Sequence, residues 1–128
     1  MITGKIKDER VAIIEVEVIG LNQREKIEAT LDTGFTDYLT LPEFLIDYLK
    51  LPRIGTRRTI IAHGRAVFLN LYLAKVIWHG KERDIEVLQT DKQPLIGMSL
   101  LRGSRLTLDV VPDGDVRTFQ CRRCRAND

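Results

Sequence analysis

Between Val11 and Leu31 apolar and polar residues alternate with a period of two, and that alternation restricts the segment to β structure. Ile14, Val16 and Val18 fall on one face and Glu15 and Glu17 on the other, so Val11 to Ile19 is predicted to be a half-buried strand. Gly20-Leu21-Asn22-Gln23 turns the chain, and Ile27, Ala29 and Leu31 alternate with Glu28 and Thr30 in a second, antiparallel strand. That strand ends at Asp32. One carboxylate is thereby delivered onto a Thr33-Gly34 turn, with a further apolar segment leaving at once.

The remainder reads as strands with two short helical interruptions. Tyr38-Leu39-Thr40-Leu41 is a short apolar strand, and Pro42-Glu43 opens a helix whose apolar face is assigned to Phe44, Leu45, Tyr48 and Leu49. Leu51-Pro52 ends it, because the residue before proline avoids helical geometry. Thr59 to Ala62 and Ala66 to Leu69 flank His63-Gly64-Arg65 and suit a β-hairpin with glycine at its tip. Strand character continues to Trp78, and His79-Gly80 turns into Ile85-Glu86-Val87-Leu88. Pro94-Leu95-Ile96-Gly97 is a short apolar segment, followed by a single helical turn, Met98 to Arg102, that stops at Gly103. Leu106, Leu108 and Val110 form another strand, which Pro112-Asp113-Gly114-Asp115 turns back into Val116 to Gln120.

At 128 residues the chain has the length of one domain, taken as residues 1–120, with a basic tail at 121–128. A composition 44% hydrophobic and 30% charged with only 4 prolines excludes wholesale disorder. No apolar run reaches transmembrane length and the N-terminus lacks the order of a signal peptide, so the expected location is cytoplasmic with no membrane partner. Cys121 and Cys124 make no disulfide framework, and a lone Cys-x-x-Cys is half of a zinc site, so no metal and no cofactor is assigned. Residues 50–81 carry seven basic side chains and no acid, which reads as a solvated face before it reads as a surface for nucleic acid.

Two distant pieces fit one pattern. Leu31-Asp32-Thr33-Gly34 resembles the catalytic turn of retropepsin-like aspartic proteases, and Leu95-Ile96-Gly97 with its helical turn resembles the hydrophobic-hydrophobic-Gly element that follows it in that family. The hairpin around His63-Gly64 lies between them, where the family keeps its flap. More narrowly, Asp-Thr-Gly-Phe-Thr with Leu-Thr-Leu-Pro, and Pro-Leu-Ile-Gly-Met-Ser-Leu-Leu, are similar to single-domain prokaryotic members of the clan. Two features depart from the pattern: Phe35 stands where viral members usually carry alanine, and the flap tip has one glycine.

The resemblance implies an all-β, mainly antiparallel acid-protease β-barrel with one or two short helices. It implies a homodimer in which each subunit gives one catalytic Asp32 to a carboxylate pair that activates water against a polypeptide substrate. Thr33 would bond across to the partner's loop, Gly34 would let backbone approach the substrate, and Thr36 would bond to the outer carboxylate oxygen. Leu95, Ile96 and Gly97 would pack beneath the turn, and Ala62, His63 and Gly64 would close over the substrate. The alternative is a catalytically silent retropepsin fold serving dimerisation or peptide binding. From the residues alone, Asp32 also fits a plain turn aspartate, His63 a solvated tip, and His79 and Asp109 structural positions.

Overall fold

The computed structural model describes residues 1–60 and 62–121. Among these residues ten strands and two short helices follow in the order β1 (Ile2–Lys7), β2 (Val11–Ile19), β3 (Arg24–Leu31), β4 (Leu39–Pro42), α1 (Glu43–Leu49), β5 (Arg53–Ile60), β6 (Ala66–Trp78), β7 (Lys81–Thr90), β8 (Leu95–Ile96), α2 (Met98–Leu101), β9 (Ser104–Leu108) and β10 (Asp115–Gln120). A 3-10 turn, Ala62–Gly64, joins β5 to β6. The strands form one mostly antiparallel sheet in the order β5-β6-β7-β4-β8-β3-β2-β1-β10-β9. The all-β class expected from the alternation is the class observed.

Two pairings in this sheet are parallel, β3 with β8 and β4 with β7. Val18↔Val76 and Ile19↔Lys75 add a contact between β2 and β6, so the path β6-β7-β4-β8-β3-β2 returns to β6. Along β2 the alternation is realised as read: Ile14, Val16 and Val18 are buried, and Glu15 is exposed. Their counterparts in the core are Ile27 and Ala29 of β3, Leu39 and Leu41 of β4, Val76 and Trp78 of β6, and Ile96 of β8. A contiguous apolar cluster of this kind is the main favourable term in folding.

Three details differ from the sequence reading. Residues 2–7 form a strand, β1, that pairs with β2 and β10, where no element was expected. Helix α1 buries Ile46 and Leu49, with Leu45 half-buried, whereas Phe44 and Tyr48 stand exposed. A seven-residue helix makes barely two turns, so sequence periodicity cannot fix which side faces inward. Finally, β9 ends at Leu108, leaving Val110 exposed in the following loop.

The long strand β6 serves both sides of the sheet. Ala74, Val76 and Trp78 point into the core, and Tyr72 packs against it. Leu71 has the opposite parity, and its register partner in β7, Leu88, shares that parity. Both are buried, yet they stand apart from the main cluster. A second, smaller apolar layer therefore lies on the outer face of β6 and β7.

Candidate active site

Asp32 is placed by backbone bonds on either side of it. The parallel pairs Thr30↔Leu95 and Leu31↔Ile96 carry β3 alongside β8, and Asp32 N continues them by donating to Ile96 O at 2.9 Å. Phe35 N donates to Asp32 O at 3.1 Å and closes the turn. Within the turn Gly34 N donates to Asp32 Oδ1 at 2.9 Å, so one carboxylate oxygen is engaged by the main chain. Asp32 is half-buried, while Thr33, Gly34 and Thr36 are exposed beside it. The acid thus combines a fixed orientation with access to solvent.

Beneath the turn, Gly97 is buried and donates its N–H to Tyr38 O at 3.0 Å. A Cβ at this position would lie 2.2 Å from Asp37 O and 2.6 Å from both Phe35 Cδ2 and Phe35 O. Only glycine admits so close an approach of two backbones. The same measurement places the ring edge of the unusual Phe35 against Gly97.

Helix α2 locks onto the same loop. Its first N–H groups, with no partner inside the helix, are taken up by the Asp32 loop: Met98 N donates to Phe35 O at 2.8 Å and Ser99 N to Asp37 O at 3.2 Å. The Ser99 hydroxyl donates to Thr36 O. Thr36 therefore meets α2 through its carbonyl, a contact different from the carboxylate bond that the family resemblance implies. At the other end of α2, Arg83 donates to Ser99 O and Leu100 O, each at 3.1 Å, and lies 5.6 Å from the Tyr38 ring centre. Thr40, buried in β4, accepts Leu95 N at 2.9 Å through its hydroxyl.

The structure thus sets Asp32 against Ile96 and Phe35 against Gly97, with Thr33, Gly34 and Thr36 exposed on the same loop and Leu95 paired with Thr30 just before it. Ala62, His63 and Gly64 sit at the tip of the β5–β6 hairpin, where His63 (φ 68) and Gly64 (φ 72) are both left-handed and both exposed. What ties this hairpin to the Asp32 loop is Arg57 of β5, which donates to Asp37 and, at 2.8 Å, to Glu86 Oε1. Sequence reasoning passed over Thr40, Asp37, Arg57, Arg83 and Ser99. A threonine flanked by leucines in Leu39-Thr40-Leu41 is the one signal among these that points inward.

Elsewhere, a groove of about 870 Å³ runs between α1, β6 and the end of β7, lined by Phe44, Val67, Leu69 and Asp91 among others, and Asp32 does not line it. His79 closes the β6–β7 turn and shares a 2.8 Å hydrogen bond with Ser104 Oγ. Burial holds its pKa below the usual histidine range, with the chain's N-terminal charge and Arg83 acting in the same direction. Among the described residues no group of three or more His, Cys, Asp or Glu side chains is placed so that it could hold a metal ion. Cys121 is half-buried, its N–H bonded to Gly103 O at 2.8 Å, and Cys124 lies outside the described residues. Within the basic run, Arg57 is paired with Asp37 and Glu86, and Lys75 with Asp84. No helix among the described residues is long and apolar enough to cross a membrane. Comparison with protein-family models, with curated proteins and with solved structures gave no match to this chain.

Proposed function

We propose that the chain is an aspartic endopeptidase active as a homodimer, with Asp32 of each copy facing the other. The observation that carries this reading is the seating of the Asp32 turn on Ile96 and Gly97: a strand-end carboxylate, held by its own Gly34 N–H and still open to solvent. Hydrolysis by this route needs two carboxylates that share one proton. The ionised one accepts a proton from water while the protonated one polarises the scissile carbonyl. One chain supplies one Asp-Thr-Gly turn, and a two-fold axis supplies the second, since an isologous contact sets like against like. The exposed Thr33, Gly34 and Thr36 offer the surface for that contact.

The two-fold arrangement makes the pair a coupled acid. One carboxylate must be ionised while the other is protonated, so the rate is bell-shaped over the acid-to-neutral range. The hairpin tip at Ala62, His63 and Gly64 is assigned to cover an extended polypeptide, holding it by strand-like main-chain bonds and excluding water.

The test is cleavage of unfolded casein across about pH 4 to 8. Cleavage should be blocked by pepstatin-type inhibitors and removed by Asp32→Asn. Cleavage that survives Asp32→Asn contradicts the proposal. Casein bound but never cut selects the silent peptide-binding module instead.

A further inference from the structure

The outer face of β5, β6 and β7 carries charge as well as the Leu71–Leu88 layer. Arg57 stands opposite Leu69 in the β5–β6 register, and Glu86 lies two residues before Leu88, so both share that face. The Arg57 guanidinium spans two carboxylates there: Nη2 donates to Glu86 and Nη1 to Asp37. The three side chains retain only 32% (Arg57), 21% (Asp37) and 35% (Glu86) of their exposure, so salt screens them less than a surface pair. A planar guanidinium fixes both the distance and the angle of what it bridges, which a flexible ammonium does not.

The residues it bridges belong to different parts of the molecule. Asp37 is part of the Asp32 platform: its carbonyl accepts Ser99 N and abuts Gly97. Arg57 sits on the strand that runs directly into the Ala62–Gly64 tip. One side chain therefore connects the loop that orients the acid to the hairpin assigned to cover the substrate.

We infer that Arg57 is a positioning residue: by bracketing Asp37 and Glu86 it sets the height and angle of the β5–β6 hairpin over the Asp32 turn, and with them the fit of an extended polypeptide between the two. The consequence for catalysis rests on the peptidase reading; the placement of the hairpin does not.

The experiment compares Arg57→Gln, Arg57→Lys, Asp37→Asn and the Arg57→Gln/Asp37→Asn double variant by amide hydrogen exchange and by steady-state cleavage of unfolded casein. Arg57→Gln should speed exchange over residues 53–69 about tenfold while leaving β2 and β3 unchanged. It should raise KM about tenfold with a smaller change in kcat. Asp37→Asn should act in the same direction, and the double variant should be no worse than the more affected single one, because both remove the same bracket. Arg57→Lys should restore only part of the effect. A purely structural role would instead speed exchange throughout the fold and leave KM in place. Hairpin exchange unchanged in Arg57→Gln, additive losses in the double variant, or full restoration by lysine would each overturn the inference. A wild-type chain that binds or ignores casein without cutting it defeats the peptidase reading alone, and the exchange measurement then still decides the role of Arg57.

Discussion

The Asp32 loop and the tip of the β5–β6 hairpin are both turns between strands, but they are built in opposite ways. Around Asp32 the backbone is bonded to its surroundings repeatedly, to Ile96, Gly97, Met98 and Ser99, and the close approach at Gly97 leaves no room for a Cβ. At the tip, Gly64 has nothing within 4 Å of where a Cβ would stand, and Ile60 and Phe68 beside it are exposed. A reacting group must be held in one geometry, whereas a segment that admits a chain must be able to move aside. The difference in local packing is the one that the proposed peptidase reading requires of the two turns. It also predicts which changes the molecule will feel.

The largest expected effect is on chemistry alone. Asp32→Asn keeps an oxygen for Gly34 N–H but cannot share a proton, so casein cleavage should fall by about a thousandfold or more with the melting temperature nearly unchanged. A variant that unfolds, or one that still cleaves, would break the distinction between an oriented acid and a structural one. Next comes Gly97→Ala, whose Cβ would collide with Asp37 O and Phe35. Urea denaturation should show a loss of about 3 kcal/mol, with activity lost alongside, because the platform cannot give way without moving the turn. A loss no larger than that of the tip variant would remove the contrast.

At the tip, Gly64→Ala meets open space and bears only the left-handed backbone, φ 72, so it should cost about 1 kcal/mol in the same urea series. The smallest effect concerns pH. His79 is held below its ordinary 6.5 chiefly by burial. The unfolded chain therefore takes up a proton first as pH falls below that value, and stability declines until the folded ring also protonates; above it this group contributes no slope. His79→Asn keeps a side chain that tolerates the left-handed turn with Gly80, so it should flatten the acid limb of a urea midpoint against pH curve. Parallel curves for the two proteins would show that His79 is not the group responsible.

How much of this was legible in the residues differs between the same two regions. The alternation in β2 and β3, the Asp32 turn and the Leu95-Ile96-Gly97 segment were readable because each is a local pattern with a steric or periodic cause. What the chain does not encode locally was missed. In β1, Gly4 interrupts the apolar pattern because a Cβ there would fall 2.0 Å from Ile13 O, a constraint visible only once β2 lies beside it. Phe44 and Tyr48 look like a buried face and are not, since so short a helix is oriented by its neighbours. Arg57 is indistinguishable from six other cations in a basic run until folding brings Asp37 and Glu86 to it. Long-range polar pairing leaves no periodic trace, so the connection between the two regions is the part that the structure had to supply.

In the proposed homodimer two copies of the Asp32 turn form one site. The most direct measurement is the separation of the two Asp32 carboxylates in a crystal of the purified protein grown at mildly acidic pH. The expected result is a two-fold dimer with the nearest oxygens about 3 Å apart, close enough to share a proton. A dimer that keeps them beyond about 8 Å, too far for one proton to be shared directly or through a single water, would contradict it.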